Sequence, residues 1–272
     1  MRHFSLSPLA MFNSLWLHRQ LILTLVKRDV AGRYRGSVLG LLWSLFNPIF
    51  MLAVYTFVFS VVFRARWTVG EESRAMFALV LFAGLLLFNL FAECVNRAPG
   101  LILENVNYVK KVIFPLEVLP WVILGTALFH ALVSFFVWLA FSFVVLGMPP
   151  LTILLFPLIL LPLLLFILGL SWFLASLGVY LRDVGQFVGI LTTTLLFLTP
   201  IFYPLTLIPE SYQSIVLSNP LAFIVEQGRG LLIFGRLPNW SGYFTLMAAT
   251  LLFAWGGFAW FQKTRKGFAD VL

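Results

Sequence analysis

Charge is scarce in this chain. Asp, Glu, Lys and Arg together make up 10% of its 272 residues, where an ordinary soluble domain is about a quarter charged. Cysteine is nearly absent as well: Cys94 stands alone, which precludes an intramolecular disulfide, and three histidines without a Cys/His cluster offer no metal-ligand spacing. No G-x-x-x-x-G-K-[ST] occurs, so the chain lacks a phosphate-cradling loop for ATP, and it also lacks H-E-x-x-H and G-x-S-x-G. Residues 1–20 have neither a long apolar core nor an A-x-A site, and a basic stretch follows, which argues against a cleaved leader. What fills the chain instead is apolar: 61% of residues are hydrophobic and the mean hydropathy is +1.02. These proportions exclude a soluble enzyme, a nucleic-acid-binding domain, a disordered protein and a disulfide scaffold. They point to an all-α membrane protein with several spans.

A span needs about 20 apolar residues, and a charge at its centre costs about 2.5–3.5 kcal/mol on insertion scales. Five stretches contain no Asp, Glu, Lys or Arg: 36–63, 75–92, 118–181, 184–209 and 237–262. The third is too long for one crossing, and Gly147-Met148-Pro149-Pro150 supplies a turn that divides it. Six spans are therefore predicted, at 36–63, 75–92, 118–146, 151–181, 184–203 and 241–262, within one domain covering 1–272. The termini and even-numbered loops carry thirteen Lys and Arg and the other loops five (Arg64, Arg66, Arg74, Arg229 and Arg236). That bias predicts both termini in the cytoplasm and accounts for the net charge of +8 without nucleic acid. No internal half-repeat is visible, so a path with two equivalent halves needs two copies of the chain.

Between the spans, residues 11–31 place Leu15, Leu21, Ile22, Leu25 and Val26 at helical spacing, with His18, Arg19, Lys27 and Arg28 in the polar arc. This predicts an amphipathic helix on the membrane surface, either a plain anchor or a grip on a cytoplasmic partner. Residues 94–115 are too polar to span and too long for a turn; Pro99-Gly100 breaks them into short helices. They form either a docking surface exposing Glu104, Tyr108, Lys110 and Lys111 or a solvated basic loop. Arg182-Asp183 between the fourth and fifth spans reads as a local ion pair. In the fourth span Gly169, Ser171, Ala175, Ser176 and Gly178 make a small-residue face suited to close helix packing. Five prolines interrupt residues 198–240, where 221–234 is too short to cross and is expected as a re-entrant or surface helix, with Glu226 and Arg229 spaced to pair.

Two further features bear on a path through the membrane. His130 is the one ionisable group deep in an apolar run, either a relay or a histidine bonded to a neighbouring helix. Aromatic residues reach 17%, and Trp43, Phe46, Phe50 and Phe57 recur on one side of the first span. Their flat apolar faces would let sugar rings slide past; packing or lipid contact is the plainer role.

Five stretches taken together carry a resemblance: KRDVAGRYRGSVLGLLWSLFNPI (27–49), ENVNYVKKVIFPLEVLP (104–120), YLRDVGQF (180–187), LTPIFYP (198–204) and NPLAFIVEQGRGLL (219–232). In this order on a six-span chain they resemble the membrane subunits of ABC exporters of the second type, and among them the Wzm-like permeases that export O-antigen, capsule and teichoic-acid polysaccharides. The resemblance implies a homodimeric channel in a bacterial inner membrane, paired with two copies of a separate ATPase that holds the ATP and Mg, so this chain itself has no cofactor. It also implies a cargo of polysaccharide linked to polyprenyl diphosphate. On this chain it assigns ATPase coupling to Glu104, Asn107, Tyr108, Lys110 and Lys111, and an outer gate to 204–234 with Pro204, Pro220, Glu226 and Arg229. Arg28, Arg33 and Arg35 lie where a diphosphate headgroup needs countercharge, though ordinary anionic lipid would serve them equally. Two other readings stay open: an exporter of drugs or other lipids from the same superfamily, and a membrane enzyme acting on lipid-linked sugars. The enzyme would need clustered acids, and Glu71-Glu72 is the only close acidic pair.

Overall fold

The computed structural model describes residues 5–58, 74–110 and 114–272, and the described chain is helical throughout. Among the described residues, four helices are long and apolar enough to cross a membrane, over Ala75–Gly100, Leu116–Leu146, Leu151–Tyr180 and Trp240–Val271. Their regular α-helical parts are α4 (Arg74–Arg97), α6 (Leu119–Leu146), α7 (Phe156–Tyr180) and α11 (Trp240–Thr264). Two shorter apolar helices accompany them, α3 (Leu42–Tyr55, its apolar stretch running to Val58) and α8 (Val184–Leu198). The remaining helices flank or connect these: α1 (Pro8–Leu17), α2 (Arg19–Tyr34), α5 (Val106–Val109), α9 (Glu210–Leu217), α10 (Pro220–Leu232) and α12 (Phe268–Val271). The end of the first expected span, residues 59–63, lies outside the described residues, as do Arg64, Arg66 and the Glu71-Glu72 pair.

Local chemistry sets the helix ends. Gly147 adopts φ +75 after α6, a conformation open to glycine, and Pro149-Pro150 prevents the helix from resuming. Asn219 and Asn239 cap α10 and α11 by accepting from the N–H groups of Leu221 and Gly242. The second span differs from its expected limit: α4 continues five residues past Ala92, through Glu93 and Arg97, because both charged side chains find partners on other helices.

Helix α4 is the centre of the bundle. Of its 18-residue apolar window 78% is buried, against 17 to 39% in the other three long helices. Helices α3, α6, α7, α8 and α10 all pack on it. Helices α7 and α11 form the most extensive pair, and their glycines explain the close fit: a Cβ on Gly257 would overlap the carbonyl of Gly169. The small-residue face of the fourth span also seats the 98–100 turn, because a Cβ on Gly178 would overlap the Pro99 carbonyl.

The amphipathic segment departs from a single surface helix. It folds as α1 and α2, broken at His18, whose backbone leaves the helical region. Its apolar residues Ile22 and Leu25 are buried against the bundle. Helix α2 climbs beside α6, from the Trp121 Nε1 to Ser14 Oγ bond of 3.2 Å at the foot of α1, past Gly125 at Val26, to His130 at Arg33 and Tyr34. His130 lies eleven residues along α6 from Leu119, about 16 Å of helix rise.

Candidate functional site

Three groups of residues stand out: a charged joint between α2, α4 and α6, a buried arginine at the opposite end, and two outward faces on the short apolar helices.

The joint begins with Glu93 on α4. Its carboxylate accepts from Arg33 Nη2 at 2.9 Å and from His130 Nδ1 at 3.0 Å. Burial pushes the Tyr34 phenol up, so it stays neutral, and its hydroxyl bonds His130 Nε2 at 3.2 Å, where either atom can donate. Because an ionised carboxylate only accepts, the His130–Glu93 bond calls for a hydrogen on Nδ1, and Arg33 Nη1 packs 3.2 Å from the same ring nitrogen. Four residues beyond Glu93, Arg97 donates through Nη2 to both oxygens of Asp29, at 3.0 and 2.9 Å. Arg28 donates to Tyr108 Oη at 2.8 Å, and the Tyr108 ring stacks on Phe114 with centroids 4.2 Å apart. The expected headgroup arginines therefore divide. Arg28 and Arg33 already hold partners within the fold, while Arg35 is exposed. His130 is the bonded kind of histidine, held by two neighbouring helices.

Of the expected coupling residues, Glu104, Asn107 and Lys110 are exposed around the short helix α5. Tyr108 is half-buried and engaged with Arg28, contrary to the expectation that its ring lies open. Lys111 lies outside the described residues. The expected Arg182-Asp183 ion pair is absent; neither side chain has a partner in the other or elsewhere among the described residues.

At the other end, Arg229 on α10 is 1% exposed. Its Nε donates to the Val80 carbonyl at 3.0 Å, Nη1 to the Pro200 carbonyl and to Glu226 at 3.1 Å, and Nη2 to the Ile201 carbonyl at 2.7 Å. The spacing foresaw the Glu226 pair, but the backbone acceptors had no signal in the sequence. They explain the charge: α8 stops at Thr199-Pro200, and the buried carbonyls just past its end would otherwise lack donors. A Cβ on Gly84 would meet the guanidinium, so glycine on α4 makes room for it. Pro204 is buried beside this knot, and Pro220 opens α10 at its first position. A cavity of about 480 Å³ next to it is lined by Pro204, Glu226, Gln227, Arg236 and Asn239.

The outward faces belong to the two least packed apolar helices. On α3 only Pro48 and Leu52 are buried. Trp43, Phe46, Phe50 and Phe57 point the other way, between 41 and 59% exposed, with Trp43 edge-on to Phe46 and Phe46 stacked on Phe50. Asn47, which the aromatic pattern passes over, shares that exposed face at the i+4 position from Trp43. On α8 only Val188 and Thr192 are buried, and Thr192 Oγ1 donates to Asn96 Oδ1 at 2.8 Å. Gln186, Ile190, Thr193, Thr194 and Phe197 form its outward side. Two helices that meet the bundle on one narrow edge each, with aromatic, amide and hydroxyl groups on the free side, are suited to a wall that polar rings pass. Among the described residues no group of His, Cys, Asp and Glu is arranged to hold a metal ion.

Comparison with known proteins gives a consistent family. Residues 20–233 match the ABC-2 type transporter family. The chain is 31% identical over 260 residues to the O-antigen export system permease protein RfbA of Myxococcus xanthus, covering 95% of this chain and 97% of that protein. It is 30% identical over 254 residues to an O-antigen export system permease protein RfbA of Klebsiella pneumoniae, covering 93% and 95%. A second Klebsiella pneumoniae permease of that name is 28% identical over 261 residues.

Proposed function

Because the chain belongs to the ABC-2 type transporter family, a family of multi-pass membrane permeases, we propose that it is the membrane subunit of an ATP-driven exporter carrying a lipid-linked polysaccharide out across the inner membrane. The observation that carries this reading is similarity to O-antigen export permeases over 93 to 95% of the chain, a span that includes both outward helix faces. The role is transport rather than catalysis, with ATP and Mg held by a separate ATPase.

In this reading α3 and α8 complete a six-span chain with both termini in the cytoplasm. The 15 residues of α8 give about 22 Å of helix, and the largely buried segment 199–204, its carbonyls held by Arg229, carries the crossing onward. The free faces of α3 and α8 meet those of a second copy and enclose the conduit, in which Trp43, Phe46, Asn47, Phe50 and Phe57 present rings and one amide to sugar. Flat apolar surfaces hold carbohydrate without fixing it, which suits a polymer that must keep moving. Two ATPase copies dock on Glu104, Asn107, Lys110 and Lys111, with Tyr108 relaying through Arg28 to α2. The polyprenyl diphosphate meets Arg35 and the exposed edge of Arg33 as it enters. The outer exit is gated by 204–234, where Arg229 and Glu226 serve as the fixed anchor and Pro204 and Pro220 as the bends.

The test is co-expression with the neighbouring ATPase, purification through a tag on this chain, and vanadate-sensitive ATP hydrolysis in lipid, alongside deletion of the gene in its host. A stoichiometric ATPase together with loss of surface polysaccharide upholds the reading. A chain that purifies alone, in a host whose surface glycan survives the deletion, refutes it.

A further inference from the structure

Helices α7 and α8 are joined by only three residues, yet they splay apart. Together with α4 they enclose an apolar cleft of about 810 Å³, lined by Phe91, Phe166, Phe173, Leu177, Phe187 and Leu191 among others. Its lining on α7 runs from Phe166 to Tyr180, about 21 Å of helix rise, which exceeds the roughly 15 Å depth of one leaflet of hydrocarbon and falls short of the whole core. No side chain of the described residues fills this space, and beside it α8 buries only Val188 and Thr192 fully, with Val184, Leu195 and Leu196 partly buried against the bundle. The mouth is different in character. Arg182 and Asp183 sit there side by side, opposite in charge, exposed, and paired neither with each other nor with any other group among the described residues.

We propose that this cleft is a binding site for one glycerophospholipid of the inner leaflet whose headgroup carries both a phosphate and a primary ammonium, as phosphatidylethanolamine does. The guanidinium of Arg182 donates to the phosphate, the geometry in which arginine pairs best, and the ammonium donates to the Asp183 carboxylate. The acyl chains lie along Phe166, Phe173, Leu177 and Leu191. An anionic lipid with no ammonium would leave Asp183 facing a like charge, and a quaternary ammonium offers it no donor. A cleft somewhat deeper than one leaflet and shorter than the whole core matches a bilayer lipid rather than a much longer polyprenyl chain. The bound lipid completes the packing of α8 on α7 and sets where the outward face of α8 stands; this last consequence rests on the proposed transport function, whereas the site itself needs only a membrane.

The experiment is native mass spectrometry of the detergent-purified full chain, titrated with phosphatidylethanolamine, phosphatidylcholine and phosphatidylglycerol of identical acyl chains. Phosphatidylethanolamine is expected to be retained roughly three- to fivefold better, the ratio that one exposed charge contact of about 0.6–1 kcal/mol provides. Arg182→Gln should weaken retention of all three lipids. Asp183→Asn should remove only the preference for ethanolamine, and Leu191→Trp should expel lipid by filling the cleft. Both charge variants alter exposed side chains without partners, so folding is not at stake. Equal retention of the three lipids by the unaltered chain, or an ethanolamine preference that survives Asp183→Asn, overturns the proposal. So does a disulfide cross-link between two copies through Leu191→Cys in lipid, which would put the partner chain in the cleft. Failure of the ATPase to copurify would instead strike the transport reading and leave these lipid ratios unchanged.

Discussion

Glu93 and Arg33 meet at 2.9 Å across the joint between α4 and α2, and the same carboxylate holds His130 of α6. One side chain thus ties three helices just before the chain enters α3. The Arg33 side chain is 40% exposed, so its share is screened, whereas Glu93 at 19% is the better shielded member. Glu93→Ala is expected to cost about 1–2 kcal/mol, mostly from the unpaired His130 and Arg33 groups left behind. Because the residues act through one carboxylate, Arg33→Ala should add little in a Glu93→Ala background. Thermal melting of the four proteins in detergent checks this, and fully additive losses would show that the joint is not a unit.

Arg229 carries a larger prediction. Four acceptors surround a guanidinium that is 1% exposed, three of them carbonyls on two other segments. Arg229→Met leaves Glu226 and the Pro200 and Ile201 carbonyls without their donor, at a cost of about 3–5 kcal/mol. Arg229→Lys should rescue poorly, since one ammonium does not span acceptors arranged for a planar fork. Glu226→Gln should cost far less, because that side chain is 30% exposed. The measurement is the fraction of chain that stays monodisperse after heating; comparable losses for Arg229→Met and Glu226→Gln would contradict the carbonyl-clamp account.

Neighbouring glycines on α11 provide a control within one helix. A Cβ on Gly257 would overlap the Gly169 carbonyl, whereas a Cβ on Gly256 meets nothing within 4 Å. Gly257→Ala forces backbone apart and should destabilise by roughly 1–3 kcal/mol. Gly256→Ala should be neutral or slightly stabilising, since alanine favours helix. Similar melting of the two variants would mean that α7 and α11 are not packed through that contact.

Much of this architecture is legible in the chain itself, for identifiable reasons. Uncharged runs locate α6, α7 and α11 because a charge within a span is costly, and Gly147 with Pro149-Pro150 marks a turn whose φ only glycine accepts easily. The small-residue face in α7 and the three-residue spacing of Glu226 and Arg229 likewise translate directly into contacts. What the chain conceals is long-range partnership. Glu93 looks like the first polar residue of a loop until Arg33 and His130, 60 and 37 residues away in sequence, are seen around it. Arg229 looks like a loop charge until the broken end of α8 is brought to it. The segment around His18 has a continuous helical pattern, and nothing local announces that α1 and α2 separate there to follow the bundle.

The outward faces lead to a prediction that separates folding from transport. Trp43, Phe46 and Phe50 project from α3 away from the core, whereas Pro48 and Leu52 of the same helix are buried in it. Apolar side chains facing lipid or a second copy gain nothing from leaving water, because a membrane offers them no water to leave. Trp43→Ala combined with Phe50→Ala should therefore reach the membrane at wild-type amounts and melt within about 0.5 kcal/mol of the unaltered chain. Leu52→Ala opens a cavity against α4 and α6 and should lower stability by roughly 2 kcal/mol or more. If the aromatic stripe lines the conduit, the double alanine variant should lower surface polysaccharide several-fold despite its normal abundance, and Leu52→Ala should lower it only as far as folded protein is lost. Quantifying surface glycan per folded permease in a host lacking its own copy distinguishes the two. Export by the double variant at the wild-type rate would remove α3 from the path and leave its exposed rings as lipid contacts.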